Sequence, residues 1–161
     1  MSKITDQRIG EVRKIISIAS NFPHHYKHKV LGIGMIGELI CCNQMNWDHS
    51  DNHNNSGFDA LDENLREIQI KTFVLGNKTK MLPAFNPDAK KNEKVKDIAI
   101  VVLENNLTLN KILISSVQNY KSKLVEVEAR RSQNSNSKER TKRYDMRIDE
   151  FESIKELKKY P

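Results

Sequence analysis

The chain has 161 residues, 37% hydrophobic and 30% charged, with a net charge of +6. This length and composition suit one domain over 1–161 with a real core, and exclude a chain disordered throughout. The N-terminal segment 1–6 lacks the apolar stretch of a signal peptide, and no apolar run approaches bilayer length, so a cytoplasmic setting without a membrane is expected.

The positive charge is uneven, with nine basic residues against four acidic ones from Lys121 to Arg147. Such an end suits a polyanion such as nucleic acid, or a solvated helix surface. The only cysteines, Cys41 and Cys42, are neighbours in an apolar helical context. Adjacent cysteines rarely bridge each other, so both are read as buried packing in a reducing compartment.

In chain order, Ile9, Val12, Ile15, Ile16 and Ala19 recur at helical spacing. They predict a helix over 5–20 with Thr5 or Asp6 as N-cap, stopped by Asn21-Phe22-Pro23. A second helix is expected from near Lys27 through Val30, Ile33, Ile36 and Leu39 to about Met45. Gly32, Gly34 and Gly37 lower its propensity but permit close packing against a sheet. Residues 43–56 read as a polar loop with a short strand near Trp47.

Strands follow at about 57–61 and 66–75, joined by a tight turn through Asp62-Glu63-Asn64. From Arg66 to Lys71 polar and apolar residues alternate, which puts Glu67, Gln69 and Lys71 on one strand face and Ile68 and Ile70 on the other. Gly76-Asn77 marks a turn, and 81–92, with Pro83 and Pro87, reads as an irregular connection. Asp97–Leu103 is nearly continuous in apolar residues, as for a strand covered on both faces. Lys111–Val117 reads as a further strand, Tyr120–Arg131 as a helix, and Ser132–Lys138 as a flexible polar loop. Met146, Ile148, Phe151, Ile154 and Leu157 predict a closing helix over Tyr144–Lys159. The order argues for an α/β or α+β arrangement around a mixed sheet.

Glu38 is the one charged residue in the apolar span from Val30 to Cys42, where a carboxylate needs a partner. Asp59 lies in the first strand, and Gln69 and Lys71 share a face of the next. A carboxylate, an amide oxygen and an ammonium on one surface suit a divalent metal and an activated water acting on a phosphodiester. Taken singly, Asp59, Gln69 and Lys71 read as ordinary turn or solvated sheet residues, and the alternative for Glu38 is a solvent-facing helix position. The order helix-Glu, strand-Asp, strand-Gln-x-Lys is more restrictive than any member.

On Gly37-Glu38-Leu39, Gly57-Phe58-Asp59 and Gln69-Ile70-Lys71, with Asp97–Val102 as a later core strand, the chain resembles the PD-(D/E)XK nuclease superfamily. The resemblance covers about 28–117 and implies a restriction-endonuclease-like α/β core, a mixed central sheet flanked by helices. Helix 5–20 would precede it, and a basic helical extension over 118–161 would follow. It further implies a Mg²⁺- or Mn²⁺-dependent DNA endonuclease acting as a homodimer. Asp59, Glu38, the side-chain oxygen of Gln69 and the carbonyl of Ile70 would hold the metal, and Lys71 would assist the attacking water. Phe58 stands where the family name has proline, and Gln69 replaces an acidic residue, leaving two charged ligands. The alternative is a nucleic-acid-binding or assembly module that keeps the fold without turnover. Lys121, Lys123, Arg130, Arg131, Arg140, Lys142 and Arg143 are the expected backbone contacts. His24, His25, His28, His49 and His53 match no zinc spacing and are read as surface or phosphate-contacting residues.

Overall fold

Seven strands form one mixed sheet in the computed structural model, which describes residues 2–19, 32–50, 57–133 and 144–161. The strands are β1 (Ser2–Lys3), β2 (Asp48–His49), β3 (Ala60–Leu61), β4 (Glu67–Val74), β5 (Asp97–Leu103), β6 (Leu109–Ser116) and β7 (Lys158–Tyr160). They lie side by side in chain order, all antiparallel except β4 and β5, which run parallel. The helices are α1 (Asp6–Ala19), α2 (Ile33–Met45), α3 (Val117–Gln133) and α4 (Ile148–Glu152).

β5 is the centre of the molecule and every one of its residues is buried. Its side chains alternate between two cores, as a strand covered on both faces must. Ala99, Val101 and Leu103 join Ile36, Cys41, Ile68 and Ile70 under α1 and α2. Ile98, Ile100 and Val102 join Tyr120, Leu124, Val127 and Phe151 under α3 and α4. Each buried Ile, Val or Leu contributes about 1.5–3 kcal/mol, so this sequence specifies the sheet's position.

The helix over 5–20 forms as Asp6–Ala19, with Thr5 as its cap: Thr5 Oγ1 accepts from Arg8 N–H at 3.4 Å. The turn after β3 closes as expected, Asp62 Oδ1 accepting from the N–H groups of Asn64 and Arg66, both at 2.9 Å. The second helix is described from Ile33 onward. Its expected start near Lys27, and the greater part of the 132–138 loop, lie outside the described residues.

Three readings are corrected. The strand expected at 57–61 is shorter, Ala60–Leu61, and is preceded by Asp59, whose backbone still bonds Ile68 and Ser50 while its side chain engages β4. The segment 144–159 is not one helix: α4 occupies five residues, Glu156 turns left-handed at φ 57°, and β7 then pairs with β6. Met146, Phe151 and Ile154 are all buried, so their helix-like spacing comes from a chain that wraps the core. β1 went unread because two residues show no period; it pairs with β2.

Candidate active site

The site forms where β3 and β4 part. Asp59 N–H donates to Ile68 O at 2.9 Å and Ser50 N–H donates to Asp59 O at 2.9 Å, which fixes the Asp59 backbone on both sides. Its carboxylate crosses to the edge of β4, where Oδ2 accepts from Ile70 N–H at 2.7 Å and from Gln69 Nε2. In a strand the N–H and C=O of one residue point the same way, so the Ile70 carbonyl faces the edge that Asp59 occupies. Gln69 is buried beside it, and Lys71 follows half-buried on the same strand face.

Glu38 reaches this edge from α2. The approach depends on Gly37: a methyl in place of its hydrogen would lie 1.9 Å from Thr72 Oγ1. Thr72 Oγ1 in turn donates to Gly34 O at 3.4 Å. The helix turn carrying Glu38 is therefore pressed against the strand carrying Lys71. Gly57 is required for a second close approach, since a methyl there would stand 1.6 Å from Lys91 O.

Sequence reasoning missed His49. It is 4% exposed, not a surface residue, and its Nε2 lies 3.4 Å from Glu38 Oε2. Its pairing opposite Ala60 in β3 puts the ring on the α2 side of the sheet. The nearest signal in the sequence was the expected strand beside Trp47. His24, His25, His28 and His53 lie outside the described residues.

Electrostatics tie the members together. The Asp59 carboxyl is raised above its ordinary value, first by burial and then by the Glu38 charge. The Ile70 N–H, the Lys71 ammonium and the Gln69 amide act in the opposite sense. All four other members of the predicted set thus act on one carboxylate. The same two acids reach Cys42, whose thiol is pushed up to about 12, chiefly by burial. Cys41 is also raised by burial, so both thiols are packing groups, as expected.

The donor set has the chemistry of a hard-cation site: two carboxylates, a backbone carbonyl and an amide oxygen. Among the described residues no group of three or more His, Cys, Asp or Glu gathers for a metal, so such a site would rely on neutral oxygens and water beside Asp59 and Glu38. The Gln69 amide presents its NH₂ to Asp59 and must turn over to offer its oxygen.

The chain matches no protein-family model and no curated protein. The site therefore stands on its geometry.

The basic residues of α3 are engaged elsewhere. Lys121 pairs with Asp88 at 3.1 Å, Lys123 with Glu126 at 2.8 Å and Arg130 with Glu150 at 2.9 Å. Arg131 meets Glu128 and Asp145, each at 3.1 Å. Arg140, Lys142 and Arg143 lie outside the described residues. No helix among the described residues is long and apolar enough to cross a membrane.

Proposed function

We propose that the protein is a metal-dependent DNA endonuclease of the PD-(D/E)XK kind, with a restriction-endonuclease-like core. The observation that carries this reading is the convergence on Asp59. Ile70 N–H and Gln69 of β4 bond its carboxylate, and the charges of Glu38 on α2 and Lys71 on β4 act on it. The Glu38 charge raises the partly buried Asp59 carboxyl, and the single lysine acting on Asp59 opposes it only in part. A divalent cation relieves that repulsion.

Asp59, Glu38, the Ile70 carbonyl and the Gln69 oxygen would hold Mg²⁺ or Mn²⁺. When bound, the ion lowers the pKa of a coordinated water and neutralises charge on the phosphoryl oxygens. Lys71, next along the Gln69 face, orients the attacking water and stabilises negative charge developing on the phosphate. His49 holds Glu38 in position through Nε2. Beyond Lys71 the strand lines a groove of about 490 Å³ with Ile33, Lys78 and Pro83, which leaves room for a substrate strand at the β4 edge. A homodimer would supply one such site to each DNA strand.

The test is Mg²⁺- or Mn²⁺-dependent cleavage of plasmid and single-stranded DNA, with Asp59→Ala and Lys71→Ala beside the wild type. Loss of one charge-stabilising donor costs about 10²–10³ in rate, so Lys71→Ala should be slowed at least that far. Equal cleavage by all three proteins would remove the assignment. The second reading, a DNA-binding module without turnover, draws on the Gln69 amide bonded to Asp59. Tight DNA binding with no cleavage in either metal would favour it.

A further inference from the structure

The connection between β4 and β5 carries Lys90, Lys91, Lys94 and Lys96 against the single acid Glu93 within 90–96. All four lysines are exposed, and none has a carboxylate partner among the described residues. This separates them from the basic residues of α3, each of which is already paired. An unpaired ammonium keeps its full charge for a polyanion, whereas a paired one must first give up its partner.

The connection is a built platform. Asn86 O accepts from Asn92 Nδ2 at 2.6 Å, Asn92 N–H donates to Ala89 O at 2.8 Å, and Val95 N–H donates to Asn92 O at 3.1 Å. Phe85 and Val95 bury into the core beneath α3 and α4, on the sheet face that Phe73 shares with Gln69 and Lys71 by strand alternation. The platform also touches the site's own chain. Lys91 O abuts Gly57, and the Asn92 side chain, 5% exposed, lies against the same glycine. Gly57 precedes Asp59 by two residues, at most about 7 Å of extended chain.

We infer that Lys90, Lys91 and Lys94 form the phosphate-backbone contact surface for the DNA cut at Asp59, in place of the α3 residues. This rests on the nuclease reading for its substrate. Gly57 is the joint that sets the distance between that surface and the reacting phosphate.

The experiment measures binding of a short fluorescein-labelled DNA duplex by anisotropy in EDTA over a salt series. It compares wild type, the Lys90→Ala/Lys91→Ala/Lys94→Ala variant and a Lys123→Ala/Arg130→Ala control, with melting curves to confirm folding. Each lost phosphate contact removes about 0.9 from the log–log salt slope. The triple variant should therefore lose about 2.7 from the slope, making its affinity fall between about 50 and 200 mM salt smaller by a factor of about 40, and the control should keep the wild-type slope. Substituting glutamate at the three positions should weaken binding further. An unchanged slope in the folded triple variant, or a larger loss in the control, overturns the inference while cleavage that depends on Asp59 still stands. Equal cleavage by Asp59→Ala with a triple variant defective in binding overturns the nuclease reading and keeps the surface. Absence of any duplex binding by the wild type at low salt also overturns the inference, while the nuclease reading is decided separately by Asp59-dependent cleavage in Mg²⁺ or Mn²⁺.

Discussion

Gly37 and Thr72 are in direct contact, with no space between them for a single methyl group. This contact, with the Thr72 bond to Gly34 O, sets how closely α2 packs on β4, and with it the helix turn carrying Glu38 on the strand carrying Lys71. A Gly37→Ala variant gains helix propensity of about 1 kcal/mol but must move the helix or the threonine. Overpacking of this kind costs about 1–3 kcal/mol, so a net loss of stability is expected. Thermal melts of Gly37→Ala, Thr72→Ala and the double variant check it. The double variant should recover part of the loss, since removing Oγ1 and Cγ2 opens most of the clash.

Asp59→Asn should abolish metal-dependent cleavage yet leave the metal-free protein at least as stable as wild type at neutral pH. Burial and Glu38 raise the Asp59 carboxyl above its ordinary 3.8, so the folded state holds that proton more tightly than the unfolded chain. Its contribution to stability is fully present below 3.8 and is lost as pH rises through the raised folded value. Asp97 is raised too and acts in the same sense, so the Asp59 share is read as the difference between wild type and variant. Denaturant unfolding in EDTA against pH should show a flatter curve for the variant over that window. Mg²⁺ at 100 times its dissociation constant should then stabilise wild type by about 2.7 kcal/mol and the variant much less.

Gln69→Glu replaces a donor to Asp59 with a third carboxylate at a position only 8% exposed. Without metal the variant should lose about 2 kcal/mol or more, because a buried charge is set against its neighbour. With Mg²⁺ the added hard ligand should raise the melting temperature more than it does in wild type. Scanning fluorimetry across a Mg²⁺ titration measures both. A metal-free Gln69→Glu protein as stable as wild type would show that the amide does not serve Asp59.

Arg131, paired with Glu128 on its own helix, holds α3 to the segment before α4 through the Asp145 carboxylate and the Asp145 carbonyl, the last at 3.2 Å. Its side chain is 22% exposed, so its removal leaves carboxylates facing one another with little solvent. Arg131→Ala should cost about 1–3 kcal/mol in chemical unfolding. Lys121→Ala, which breaks an exposed pair with Asp88, should leave the melting temperature nearly unchanged. Together they distinguish a structural role for this basic surface from a ligand-binding one.

The sequence by itself determined the elements whose pattern is long and regular. The alternation from Arg66 to Lys71 sorted Ile68 and Ile70 from Gln69 and Lys71, and the apolar run at 97–103 marked the strand buried on both faces. It also put Glu38, Asp59, Gln69 and Lys71 in one set, because their order along the chain restricts more than their identities do. Tertiary structure alone decided the rest. Residues 144–160 follow a core that needs Met146, Phe151 and Ile154 at separate points, so a helical spacing arises without one continuous helix. His49 reaches Glu38 only because β2 pairs with β3, a relation between strands too short to leave a period. Which lysines face solvent unpaired is likewise a matter of neighbours: charge can be counted along a chain, but its neutralisation depends on what folds beside it.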